Sequence, residues 1–263
     1  MRAVFLLLVA LGGAFAQTSA QKGKQVLDEA IAALGGDRFL RVQDRVETGR
    51  AYSFYRAELS GLSVATISTR YLPKPDPLQP GRLLVAERES FGKDERDGAV
   101  LFFDGQGYEV TWRGARPLPK ETLDRYRDST LHNIFYILRQ RLGEPGLIVE
   151  WQRSDFVDNR PVEIVNITDA DNRVVTVFFD RETKLPLRQL YYRRNPVTHD
   201  RDEELTIFSK YRDVGGGVQW PYDIQRLRNG DQVYQIYSDS VSINQGLKDS
   251  LFRLPTGIKL LKQ

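Results

Sequence analysis

Val174-Val175-Thr176-Val177-Phe178-Phe179 sets six β-branched or aromatic residues in a row, with Asp171-Asn172 just before it and Asp180 just after. Side chains alternate between the two faces of a strand, so a run that is apolar at every position is a strand covered on both sides. This places it near the centre of a sheet. Elsewhere the apolar residues recur at every second position. Val42, Val46, Tyr52 and Phe54 share one parity, as do Tyr108, Val110 and Trp112, and again Val218, Trp220, Tyr222 and Ile224. Each set reads as a strand with one buried face. Turn signals separate the runs at short intervals: Asp104-Gly105, Asp158-Asn159, Asp171-Asn172, Gly215-Gly216-Gly217 and Asn229-Gly230. Short connections favour antiparallel neighbours, because parallel pairs need long crossovers. The expected sheet has about eleven or twelve strands.

Two segments have the period of a helix instead. Gly23 to Leu34 puts Val26, Leu27, Ala30, Ile31 and Leu34 on one face and stops at Gly35-Gly36, where glycine supplies the left-handed residue that ends a helix. Lys120 to Leu142 carries Leu131, Ile134, Phe135, Leu138 and Leu142 in a stripe and ends at Gly143 and Pro145. Four prolines in Pro73 to Pro80 mark a loop.

The start of the chain reads as an export signal. Arg2 is followed by an apolar run from Ala3 to Gly13 and by Ala14-Phe15-Ala16, a small-x-small cleavage site. The run is too short to span a bilayer. Residues 1–16 are therefore expected to be removed, leaving a soluble periplasmic protein that begins at Gln17 and forms a single domain over residues 17–263.

Composition removes several functions. There is no cysteine, which excludes disulfides, thiolate metal sites, a cysteine nucleophile and acylation at a lipobox. The net charge of +3 is spread among interleaved charges of both signs, with no basic block for a nucleic-acid backbone to follow. The two histidines, His132 and His199, have no metal-binding spacing. Gly105-Gln106-Gly107 lacks the third glycine and the following helix of a dinucleotide loop, and no serine sits in a GxSxG elbow. No cofactor and no metal are expected.

Three further stretches carry a resemblance. They are Asp104-Gly105-Gln106-Gly107-Tyr108; Asp180-Arg181-Glu182-Thr183-Lys184-Leu185-Pro186 after its strand; and the closing set Asn244, Leu247, Phe252, Pro255 and Gly257, followed by a short strand at 258–261. With the amphipathic helix after the signal, they make the chain similar to the LolA superfamily of periplasmic lipoprotein and lipid carriers. Ala33-Leu34-Gly35-Gly36 with Gly215 to Pro221 also resembles related domains found beside zinc peptidase modules. The resemblance implies an α+β, mainly β fold: a large curved antiparallel sheet, an unclosed half-barrel, with two helices across its concave face. It implies a carrier and not an enzyme, sheltering lipid or lipoprotein acyl chains as a monomer, with envelope membrane proteins loading or receiving the cargo and no nucleic-acid partner. The candidate cavity lining is Val46, Tyr52, Phe54, Tyr108, Trp112, Ile134, Phe135, Leu138, Trp220 and Ile224. Arg45, Arg50 and Arg56 are equally placed for the family's release arginine, so none is assigned. A secreted hydrolase, marked by two facing carboxylates, and an envelope interaction module with a filled core are the alternatives.

Overall fold

The computed structural model describes residues 17–92 and 98–262, so the expected leader lies outside the described residues. Thirteen antiparallel strands form one sheet that is not closed into a barrel. Six precede the second helical region: β1 (Asp44–Tyr55), β2 (Glu58–Tyr71), β3 (Val85–Phe91), β4 (Ala99–Phe103), β5 (Gln106–Thr111) and β6 (Gly114–Pro117). Seven follow it: β7 (Ile148–Val157), β8 (Arg160–Thr168), β9 (Val174–Asp180), β10 (Pro186–Arg194), β11 (Arg201–Asp213), β12 (Gln219–Arg228) and β13 (Asp231–Ile243). The first six run outward from the middle to one edge. The rest begin at the opposite edge and return, so that β13 pairs with β1 and joins two wings.

The expected central strand is β9, and it stands third from the β7 edge rather than at the centre. It is apolar on both faces because both are covered. Val175, Val177 and Phe179 enter the main core, while Phe178 packs against a smaller cluster of Val162, Ile164 and Leu187 on the outer face. A satellite core imitates central position.

Helix α1 (Ser19–Ala33) opens with a reciprocal cap: Thr18 Oγ1 accepts from the Gln21 N–H and Gln21 Oε1 accepts from the Thr18 N–H. Its Val26, Leu27 and Ala30 are buried. Gly23 lets it lie against β7, since a Cβ there would sit 2.9 Å from the Trp151 backbone nitrogen. A short helix, α2 (Asp37–Leu40), follows Gly35 and Gly36, both with positive φ.

The second helical region is not the single helix that its stripe predicts. Helix α3 (Lys120–His132) ends at Asn133, whose extended backbone breaks the run and whose Oδ1 caps α4 (Ile134–Tyr136) by accepting from the Tyr136 N–H. A π-helical turn, Ile137–Arg141, continues it. The wider turn turns three consecutive polar residues inward, where each finds partners. Arg139 Nε donates to the Val42 carbonyl, Gln140 Nε2 donates to the carbonyls of Leu72 and Leu84, and Arg141 makes buried ion pairs with Glu144 and Asp169. Burial opposes ionisation of Asp169, but hydrogen bonds from Arg173 and Arg141 outweigh it and hold this carboxyl below its usual range.

The family-like motifs have local work to do. Asp180 accepts from the backbone N–H groups of Glu182 and Thr183 and from the Thr183 hydroxyl, closing the β9–β10 turn. The Asp44 carboxylate accepts from the N–H groups of Gln245, Gly246 and Leu247. Beyond it, residues near Leu260 pair parallel with Ala115 of β6 and cover that edge.

Candidate functional site

The register assigns one face of every strand to the helices. In the β7–β13 wing that face is largely apolar beneath α4, while farther along the strands it carries Arg193, paired with Asp128 of α3, and Glu204, paired with Arg228. Phe135 lies 5.0 Å from Phe208 and 4.7 Å from Trp220 between ring centroids, and Ile134, Phe135 and Leu138 are all at most 2 % exposed. Val177, Phe179 and Trp220 complete the same cluster, and Ile224 packs against it.

The β1–β6 wing is built differently. Arg45, Thr69, Glu87 and Phe102 stand opposite one another across four strands, and Glu47, Ile67, Glu89 and Val100 form the neighbouring row. Arg45 lies over the Trp220 ring at 3.9 Å and donates from Nη2 to Thr69 Oγ1, which in turn donates to Glu87 Oε2 at 2.9 Å. Glu47, 2 % exposed, accepts from the Ser238 hydroxyl. Glu87 and Glu89 are deep in the protein yet keep part of their surface open. Burial raises both carboxyls. Arg45 and the Thr69 hydroxyl oppose the rise at Glu87, whereas Glu89, with Glu87 beside it, is pushed up to about 7. Among the described residues no cluster of three acidic or histidine side chains is arranged to hold a metal.

Next to these rows, beneath α3, is a cavity of about 180 Å³. Its wall includes Leu83, Val85, Phe102, Phe103, Leu123 and Tyr126. Tyr126 stacks on Phe102 with ring centroids 3.6 Å apart. Gly107 lies directly under the helix, where a Cβ would meet the Leu123 and Leu118 side chains. The space is comparable in size to an engineered apolar cavity of about 150 Å³ that takes up benzene, and Gln106, Lys120, Asp124 and Arg127 also line it.

The ten predicted lining residues divide. Ile134, Phe135, Leu138, Trp220 and Ile224 come together, but in the filled wing. Val46 and Tyr52 point away from the helices, because the alternation of β1 turns Arg45 and Glu47 inward; Tyr52 meets Tyr237 edge-on across the outer face. The parity of β1 was legible, and its buried face is the polar one. Tyr108 belongs to an outer cluster with Phe103, covered by Leu254 and Ile258. Trp112 is 76 % exposed in the β5–β6 turn, and Phe54 is half-buried near the tip of the β1–β2 hairpin. The cavity residues were missed, although Leu123 and Tyr126 sit at helical spacing and Val85, Glu87 and Glu89 share one strand face. His132 is buried and stacked on Tyr191, and His199 lies in the exposed β10–β11 turn.

Three solved structures share this architecture over nearly their whole length. A domain assigned to outer membrane lipoprotein sorting from Vibrio parahaemolyticus aligns with a TM-score of 0.58 at 9 % identity, covering 88 % of this chain and 97 % of its own. A LolA superfamily protein from Nitrosomonas europaea aligns with a TM-score of 0.53 at 12 % identity, covering 90 % and 98 %. The fold is LolA-like. A DUF1329 family protein from Desulfovibrio piger carries the same LolA-like arrangement, with a TM-score of 0.59, 14 % identity and coverage of 90 % and 98 %. No family model and no curated protein matches the sequence.

Proposed function

We propose that this protein is an exported, periplasmic carrier that shelters a lipid or lipoprotein acyl group between its curved sheet and helix α3. The observation that carries the reading is the unfilled space beneath α3, whose wall includes Val85, Phe102, Leu123 and Tyr126, in a fold whose main core is packed beneath α4. Each methylene moved from water into such a site contributes about 0.8 kcal/mol. The chain needs no covalent chemistry for this task, and it is read as a carrier and not an enzyme. The LolA-like likeness supports the same reading at the level of the fold.

The test is native purification of the exported protein, followed by mass spectrometry of extracted lipid and titration with a fluorescent acyl probe. Co-purifying lipid and saturable probe uptake are expected. A protein that carries no lipid and takes up no probe is not a carrier. One observation favours a second reading, an acid–base hydrolase: Glu87 and Glu89 lie two residues apart on one face of β3, both partly open, with Glu89 pushed up to about 7. Turnover of ester or glycoside substrates that vanishes in Glu89→Gln would support it.

A further inference from the structure

The β1–β2 hairpin carries an exposed apolar surface that the carrier reading does not use. Among the described residues, those from Phe54 to Ser60 pair only with one another, since the last β1 residue paired with β13 is Ser53 and the first β2 residue paired with β3 is Ala65. Tyr55, Leu59 and Leu62 are 66, 57 and 60 % exposed. Leu62 stands opposite Tyr52 on the outer face, next to Val64 opposite Arg50.

Arginines are interleaved with this surface. Arg56 lies over the Tyr55 ring at 5.3 Å, and neither Arg50 nor Arg56 has a carboxylate partner among the described residues. Residues 50–64 contain one carboxylate, Glu58. The same pairing of exposed ring and guanidinium recurs at this end of the sheet in Trp112 with Arg113 and in Tyr192 with Arg201. Aliphatic side chains interleaved with tyrosine and arginine match the layers of a bilayer surface: acyl chains, the headgroup boundary where amphipathic rings settle, and phosphate. Arg50 and Arg56 against Glu58 leave the hairpin with a net positive charge, which favours an anionic surface.

We infer that the tip and outer face of the β1–β2 hairpin dock on an anionic phospholipid membrane. Docking places the protein where a membrane-derived cargo is collected or delivered, but it is separable from cargo binding: the hairpin is not part of the cavity wall.

The test is co-flotation of the exported protein with phosphatidylglycerol–phosphatidylethanolamine vesicles and with phosphatidylcholine vesicles. Wild type is expected to float with the anionic vesicles, weakly or not at all with the neutral ones, and to lose binding in high salt. A combined Tyr55→Ser, Leu59→Ser and Leu62→Ser variant is expected to bind at least about tenfold more weakly, and Arg56→Glu to weaken binding as well, both with unchanged unfolding midpoints because these sites are exposed. Phe156→Ser, at an exposed site near the opposite end, should bind as wild type. Failure of wild type to float with anionic vesicles overturns the proposal, as does retained binding in the triple variant. A concentration-dependent dimer abolished by the same substitutions would assign the surface to a second copy and also overturn it. Lipid co-purification and acyl-probe uptake are expected to survive the triple variant, which keeps this test distinct from that of the carrier reading.

Discussion

The α4 segment rests in ring contact on Phe208 and Trp220, whereas α3, one residue earlier in the chain, lies over a cavity that adjoins the polar rows of Arg45, Glu47, Thr69, Glu87 and Glu89. The same sheet therefore has an apolar, packed region and a polar one. Asn133 divides them by ending one helix and capping the next. The difference teaches that packing is unevenly distributed in this molecule: the β7–β13 wing supplies most of the main core, and the other wing places Arg45, Glu47, Thr69, Glu87 and Glu89 where a core would otherwise form.

The largest expected effect tests the packed wing. Phe135→Ala should cost about 3–5 kcal/mol, because the ring is enclosed by Phe208, Tyr211 and Trp220. Denaturant unfolding measures it. A loss near 1 kcal/mol would mean that this wing also has slack, and the contrast would disappear.

The second prediction concerns the polar rows. Glu89 has a folded-state value of about 7 against an ordinary 4.5, so the folded protein holds an extra proton between those values. The sign follows: stability contributed by the protonated carboxyl is complete below about pH 4.5 and is lost as pH rises toward 7, by up to roughly 3 kcal/mol. Glu89→Gln should remove that loss, flatten the pH profile in this window and raise stability at pH 8. An unchanged profile would show that Glu89 is ordinarily solvated and that these rows are simply open surface.

The smallest effect on stability is expected beneath α3. Leu123→Phe adds volume to a wall that faces empty space, so stability should change by no more than about 1 kcal/mol, while uptake of an acyl probe falls. A large destabilisation would indicate that the space is already closed by packing.

How much of this was readable depended on which residues filled each face. The strand alternation, the Asp-Gly and Asn-Gly turns and the glycine stop of α1 are local, and they appear where the sequence puts them. The orientation of β1 is not local. An apolar parity at Val46 and Tyr52 ordinarily marks the core, but here Arg45 and Glu47 are buried with partners on other strands: Arg45 lies over Trp220 and donates to Thr69, and Glu47 accepts from Ser238. Position within the sheet was hidden for the same reason: the cluster of Val162, Ile164 and Leu187 covers the second face of β9 near an edge. The interruption at Asn133 leaves the apolar stripe of 131–142 intact in sequence, so periodicity could not reveal that Leu131 packs with Val85 of β3 while Ile134, Phe135 and Leu138 enter the main core.

The pairing of β1 with β13 also constrains the order in which the molecule is assembled. The two strands that join the wings are separated by most of the sequence, with Arg45 meeting Ile243. Loops of that length must close before their contacts repay the lost entropy, which slows folding. A chain emerging from its amino end can zip β1 through β6 as successive hairpins, yet the inner flank of β1 stays unpaired until residues 231–243 arrive. The seam is thus the last part of the sheet to be completed, and until then the growing protein presents an open strand edge where the finished one has continuous hydrogen bonding.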